Sequence, residues 1–352
     1  MVAPLRVWLL SDGVPGHVNQ ARGLVRRIAA VQAVDCEEHG VPMRLQLLRP
    51  FLRFAQNRRR PWAHRLARYI YKAWPEVEDP PGLIVSAGGN TSFINALLAQ
   101  QVGCGNFFMG SLRGLDADLF TAVFSLQPLF GAGGVALENN VVLPILPSNN
   151  EPDEGRVEAQ VVRRRYPDHL LCAVLLGGDG SGYRYSVEDW RQLAEAMNSL
   201  SLQHEVVWLL TTSRRTGKRG ESTLQRLLSP QTLAEVVWFS ENPSNRNSVF
   251  LQAADFVLCS EDSMSMLHEA LAANAKVVTV SPRHARPPTR YADKIIKLYQ
   301  DGYVQRCSIS ALGALQVTTL RNNAQSEQQR DWRLAIERAI APLLEKIQPT
   351  DD

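Results

Sequence analysis

Apolar residues come in short unbroken runs, each followed by a polar turn and then by apolar positions three and four apart. Runs at 5–10, 43–48, 83–86, 106–109, 121–125 and 141–144 predict strands in a first half. Runs at 171–176, 205–211, 235–239, 255–259 and 276–280 predict strands in a second half. Helical spacing falls between them, over 17–33, 61–73, 91–101, 187–200, 221–228, 246–253 and 263–273. Strands alternating with helices predict the α/β class, with two doubly wound, Rossmann-like parallel sheets. The stretch 147–155 is polar, holds two prolines and lacks periodicity, so it reads as a linker. The expected domains are 1–148 and 156–324. A tail over 325–352 follows, with an amphipathic helix over 325–347 expected to pack back on the first domain.

Composition is ordinary for a globular chain of 352 residues. No apolar run approaches a membrane-spanning length, and the opening residues read as a buried strand rather than a signal peptide. Cys36, Cys104, Cys172, Cys259 and Cys307 are scattered and odd in number, without metal-ligand spacing. They point to a reduced, cytoplasmic setting and to neither zinc nor a disulfide framework.

The net charge of +3 conceals one basic stretch: residues 49–72 carry eight Arg or Lys and no Asp or Glu. Phe51, Phe54, Trp62, Tyr69, Tyr71 and Trp74 are interleaved with them. Segment 49–74 therefore suits an anionic inner-membrane surface, where each basic side chain adds about 1 kcal/mol. RNA binding and a plain solvated face with buried aromatics are the other readings. No nucleic-acid motif accompanies the patch, so nucleic acid is not the expected partner.

Parallel α/β sheets gather ligands at the carboxyl ends of their strands. The turn Ser11-Asp12-Gly13-Val14-Pro15-Gly16-His17-Val18-Asn19-Gln20 follows the first strand. Gly13 and Gly16 permit close backbone approach, and His17 or Asp12 is the candidate general base, with Gln20 nearby. A second turn holds Gly88 and Asn90. A third, Gly177-Gly178-Asp179-Gly180-Ser181-Gly182, has no Gly-Lys-Ser/Thr and so is not a triphosphate-hydrolysing P-loop, yet its N–H groups could reach a diphosphate. A fourth, Thr211 to Thr216, places Arg214 and Arg215 at a strand end, and Arg283 follows the last predicted strand.

The segment Cys259-Ser260-Glu261-Asp262-Ser263-Met264-Ser265-Met266-Leu267-His268-Glu269-Ala270 reads as strand, turn and helix. Asp262, Ser265 and Glu269 are spaced to share one helical face. Free N–H groups at that helix start suit a phosphate, and a carboxylate further along suits ribose hydroxyls. The alternative is that Ser263 merely caps the helix and Glu269 is surface.

Taken together, Asp12-Gly13-x-x-Gly16-His17-x-x-Gln20, Gly177-Gly178, Ser213-Arg214-Arg215-Thr216 and Ala254-Asp255-Phe256-Val257 leading into Asp262-Ser263-Met264-Ser265-Met266-x-x-Glu269-Ala270 resemble the Elm-type mitochondrial-fission family, across residues 5–306. That family resembles GT-B glycosyltransferases, and its last motif is similar to the donor helix of MurG-like enzymes. The resemblance implies that Glu269 holds a nucleotide ribose and that His17 is a catalytic or acceptor-side residue. The first domain departs most from the family pattern: Gly89-Asn90 stands where an Arg is usual, and Ser111-Leu112-Arg113 replaces a Pro-Arg segment.

The expectation is a glycosyltransferase passing a sugar from a nucleotide-sugar to a lipid-linked or lipopolysaccharide-type acceptor. It needs no metal or further cofactor and is cytoplasmic or peripheral on the inner membrane. Gly177, Gly178, Ser181, Arg214, Arg215, Asp262, Ser263, Ser265, Glu269 and Arg283 would serve the donor. Gly13, Gly16, Gln20, Gly88, Asn90 and Arg113 would serve the acceptor. The alternatives are a non-catalytic membrane scaffold in a GT-B shell and a non-hydrolysing sugar-nucleotide epimerase.

Overall fold

The computed structural model describes residues 3–148, 155–317 and 332–347. The chain forms two compact units, Met1–Asn149 with Asp331–Asp352, and Asn150–Arg330. Each is built on a six-stranded parallel sheet.

In the first unit the strands are β1 (Leu5–Ser11), β2 (Val34–Gly40), β3 (Leu83–Ala87), β4 (Gly105–Met109), β5 (Ala122–Ser125) and β6 (Asn140–Val142). They lie in the order β2-β1-β3-β4-β5-β6. Val7 on β1 pairs with Cys36 on one side and Leu83 on the other. The helices are α1 (Pro15–Ala29), α2 (Arg49–Asn57), α3 (Trp62–Ile70) and α4 (Ser92–Val102). Trp8, Leu10, Ile84 and Phe108 meet α2, α3 and α4 on one sheet face. Alternation turns Val7 and Leu9 to the opposite face, where α1 lies.

The second unit holds β7 (Leu170–Leu175), β8 (Tyr183–Arg184), β9 (Val206–Thr211), β10 (Leu233–Val237), β11 (Phe256–Ser260), β12 (Val277–Ser281), β13 (His284–Ala285) and β14 (Val304–Ser308). Its sheet order is β10-β9-β7-β11-β12-β14, and β8 and β13 make a separate antiparallel pair. The helices are α5 (Arg156–Arg165), α6 (Val187–His204), α7 (Gly217–Leu227), α8 (Asn247–Ala253), α9 (Met264–Ala272) and α10 (Thr289–Gln300). α6, α7 and the turn Ile309–Ala314 cover one face through Trp190, Leu193, Met197, Leu224 and Ile309. The central strands read as unbroken apolar runs because both faces are covered.

Several expectations need correction. No strand spans 43–48: Met43 makes an isolated bridge to Tyr71, and Gln46–Leu48 is a 3-10 turn feeding α2. The second strand is instead β2, whose Asp-Cys-Glu-Glu-His run is largely exposed at the sheet edge. Edge strands carry charge to block further pairing, which erases the apolar signal. The same holds for β14 at the other sheet's edge. α5 and α10 went unanticipated because each buries only two residues, Ala159 with Val162 and Ile295 with Leu298. Of the linker expected over 147–155, residues 149–154 lie outside the described residues.

The final described helix, α11 (Trp332–Glu345), packs on α1. Trp332, Ile336, Ile340 and Leu344 recur every fourth residue and are buried, and Glu337 accepts from Arg27 at 2.8 Å. Residues 325–331 of the expected helix lie outside the described residues. Ile336 is fully buried. Replacing it by Ala should cost about 2–5 kcal/mol in urea unfolding of the full chain. An unchanged midpoint would refute this packing.

Candidate functional sites

In each sheet the strand order reverses beside the first strand, β1/β3 in one unit and β7/β11 in the other. The crevice outside the carboxyl ends at such a point is where open α/β sheets hold ligands.

At the β1/β3 point, Asp12 leaves β1 with a side chain only 2% exposed. Its Oδ1 accepts from the Val14 N–H at 3.1 Å, and Oδ2 lies 3.0 Å from His17 Nδ1. Pro15 sets the first turn of α1, which carries Gly16, His17 and Gln20. Gln20 is half-buried three residues beyond His17, on the same face. Gly13 takes a left-handed φ of 79°, which turns the backbone into that helix. Gly88 packs on His17 so closely that a Cβ would stand 2.2 Å from Nδ1. Gly89 likewise lies under Arg113, where a Cβ would meet Nε at 2.0 Å. The Tyr71 hydroxyl donates to the Asn90 carbonyl. The structure thus brings Asp12, His17, Gly88, Asn90 and Arg113 together. It adds Tyr71 and Arg49, which the sequence shows only as part of the basic-aromatic segment.

At the β7/β11 point the turn is closed from within. The Gly177 N–H donates to Ser260 Oγ at 2.7 Å and the Gly178 N–H to Asp262 Oδ2 at 3.0 Å. These glycines therefore supply close packing rather than N–H groups free for a diphosphate. A Cβ on Gly178 would lie 2.1 Å from the Arg215 carbonyl oxygen.

Asp262 does not share a face with Ser265 and Glu269, because it precedes α9 and its side chain is fully buried. It pairs with Arg215 Nη2 at 2.8 Å and accepts from the Tyr185 hydroxyl at 3.0 Å. Burial pushes its carboxyl above the ordinary range, while Arg215, Ser260, Tyr185 and Gly178 pull it back. The expected arginine pair therefore splits, with Arg215 turned to Asp262 and Arg214 exposed. Glu261, unremarked in the motif reading, is buried as well. It takes two bonds from Arg306, Nε at 2.7 Å and Nη2 at 3.0 Å, and others from Thr279 and Tyr183. Tyr291 donates to the Glu261 carbonyl at 2.7 Å. Burial, then neighbouring carboxylates, pushes Tyr183, Tyr185 and Tyr291 far up, so all three stay neutral donors. Two consecutive acids after an apolar strand were the available signal, since buried charge demands partners.

Ser263 stands at the N-cap position of α9, yet no side chain caps the helix. The merely capping role is therefore not what Ser263 performs. Ser265 is exposed on the first turn, and Glu269, half-buried four residues on, accepts from Asn247 Nδ2 at 3.0 Å. Ser181 holds a left-handed φ of 51° in the glycine turn. Arg283 is exposed, and its N–H donates to Asp189 Oδ1 at 2.9 Å. Among the described residues no group of acids, histidines and cysteines is placed to hold a metal. No described helix is long and apolar enough to cross a membrane.

Two doubly wound parallel units of this kind define the GT-B fold class. Solved structures share that fold over nearly the whole chain. UDP-GlcNAc 2-epimerase from Methanocaldococcus jannaschii is 12% identical with a TM-score of 0.57, over 97% of this chain and 100% of that one. The glycotransferase of kitacinnamycin is 16% identical with a TM-score of 0.54, over 99% and 100%. Arabidopsis thaliana UGT89C1, complexed with UDP, is 11% identical with a TM-score of 0.51, over 97% and 98%. At these identities the likeness is one of fold. The chain belongs to the mitochondrial fission ELM1 family, whose profile matches residues 138–331, more than half its length. No curated protein matches the sequence.

His268, inside α9, is buried, and desolvation together with Lys294 pushes its pKa down to about 3. The folded state keeps it neutral while the unfolded chain takes up a proton below about 6.5. Its contribution to stability is thus complete above 6.5 and lost as the pH falls from there toward 3. His268→Leu should reduce the stability lost between about pH 7.5 and 5 by about 2 kcal/mol, read by urea unfolding. Identical pH slopes in the two proteins would show that His268 is not held neutral.

Proposed function

We propose that the chain is a glycosyltransferase, taking a sugar from a nucleotide-sugar bound by the second unit and delivering it to a hydroxyl acceptor served by the first. The observation that carries this reading is the Asp12–His17 pair at the β1/β3 reversal. A buried carboxylate holding Nδ1 fixes the tautomer in which Nε2 is the basic nitrogen. Asp12, too buried to meet substrate, positions the imidazole and stabilises its charge. His17 Nε2 takes the acceptor's proton as the hydroxyl oxygen attacks the anomeric carbon and the nucleoside diphosphate departs. In the second unit the uncapped N-terminus of α9 suits the donor's phosphates, and Arg214 and Arg283 of that unit are exposed. Glu269, steadied by Asn247, accepts from the ribose hydroxyls.

His17→Ala should lower kcat about 10²–10⁴-fold with donor binding intact. Glu269→Ala should weaken nucleotide binding about tenfold or more in calorimetry. A folded protein that binds no nucleotide sinks the proposal and favours the scaffold reading. Turnover of a nucleotide-sugar without an acceptor points instead to an epimerase.

The proposed acceptor is one carried at an anionic inner-membrane surface, and the exposed face of α2 and α3 supports that reading. Phe51 and Phe54 of α2 are 62% and 54% exposed, and Trp62 and Tyr69 of α3 are 43% and 61% exposed. Leu52, Ala55, Ala63, Ala67 and Ile70 hold both helices to the core, so the exposed rings are surplus to folding. Arg53, Arg58, Arg65 and Arg68 lie exposed among them. Aromatic rings beside arginines suit the headgroup layer of an anionic bilayer. Phe51→Ser with Phe54→Ser should weaken sedimentation with phosphatidylglycerol vesicles at least about tenfold. Undiminished binding removes this face from the proposal.

A further inference from the structure

We propose that Arg49 and Arg113, with Arg53 beside them, bind a phosphoryl group at the β1/β3 reversal. This deepens the glycosyltransferase reading, on which it rests for the claim that the phosphoryl group belongs to the acceptor; the anion site itself stands on the first unit alone.

Arg113 sits in left-handed backbone, φ 52°, which a non-glycine residue adopts only at a cost. In that conformation its guanidinium stem lies against Gly89 in the turn after β3, where any other residue's Cβ would collide with Nε. Gly114 leaves room in the same way for Arg53, whose Nη1 would be 3.0 Å from a Cβ there. Arg49 opens α2 and is half-buried. Its partners are neutral, the Met43 sulfur at 3.4 Å and the Gln46 side-chain oxygen.

Burial first, and the Arg113 charge second, disfavour the charged form of Arg49. Arg53, one turn along α2 from Arg49, packs on Gly114 next to Arg113, so the three positive charges belong to one neighbourhood. Among the described residues, none of the three forms an ion pair with a carboxylate, whereas nearby Arg59 pairs with Asp118 at 2.8 Å. Asp12 is already engaged by His17, and Tyr71 is kept neutral by burial. The charge balance is completed by an anion with several oxygens. Planar guanidinium forks suit a phosphoryl group, which can take two bonds from each. His17 stands on the neighbouring turn, with Gly88 adjoining Gly89, so the phosphoryl group would be held beside the proposed base.

The test is calorimetry of the full chain with pyrophosphate at low salt, run beside vesicles of phosphatidylcholine with and without phosphatidic acid. Arg49→Gln and Arg113→Ala should each weaken a saturable binding component about tenfold or more, and Arg113→Lys less. Arg338→Ala, an exposed arginine on α11, should change nothing. Loss in the pyrophosphate arm identifies a soluble phosphoryl group; loss confined to the phosphatidic acid vesicles identifies a lipid headgroup. Equal binding by wild type and folded variants in both arms, or no saturable binding in either, overturns the site. Nucleotide affinity is measured on the same proteins. Its absence with the arginine-dependent binding retained would fell the glycosyltransferase reading and leave the anion site standing.

Discussion

Two adjacent buried carboxylates, Glu261 and Asp262, organise the second unit. Burying a charge is expensive unless it is paired and hydrogen-bonded, and removing one partner of a buried pair costs about 3–5 kcal/mol. Each acid here meets an arginine and a tyrosine, Arg306 with Tyr183 for one and Arg215 with Tyr185 for the other. Those partners come from β14, β8, the stretch between β8 and α6, and the turn after β9. Two residues just past β11 therefore fix three separate stretches of chain around the start of α9. The glycine turn after β7 is fixed by the same centre, since Gly177 bonds to Ser260 and Gly178 to Asp262. With the acids turned inward, what α9 presents outward is its uncapped N-terminus, Ser265 and Glu269.

The first unit solves the equivalent position differently. Asp12, the carboxylate at that place, has a histidine rather than an arginine as partner, and that histidine is 36% exposed. A guanidinium would stay protonated at any working pH, whereas an imidazole can exchange its proton. The same location in two related sheets thus holds arginine–carboxylate pairs in one unit and a histidine–carboxylate pair in the other. This asymmetry is why proton transfer is assigned to His17 and phosphate stabilisation to the second unit.

The parallel, doubly wound architecture was legible because central strands are apolar on both faces and contrast sharply with the helices around them. Edge strands β2 and β14 were not, since their exposed charged residues look like loop. Site reading brought together residues that are close in sequence, as with Asp12 and His17, whose side chains meet. It failed for Asp262, whose spacing matched a helical face although the helix begins two residues later at Met264. It also missed Arg306 and Tyr183, which reach Glu261 from 45 and 78 residues away. Periodicity carries no information about such distant partners; only the rule that a buried acid must have them does.

The segment 49–71 joins two properties that the sequence shows only as one basic-aromatic run. A nine-residue helix has too few positions to serve a core, a surface and a site unless its faces are divided. α2 divides them: Leu52 and Ala55 enter the core, Phe51 and Phe54 face outward, and Arg49 at its first residue turns to Met43 and Gln46. Tyr71, just past α3, closes the far end by bonding to Asn90 in the turn after β3. The exposed aromatic face is therefore rigidly continuous with the turn that packs on His17. A phosphoryl group held by Arg113 at Gly89 would stand one residue from the glycine that packs on His17, a preorganisation that reduces the entropic cost of binding.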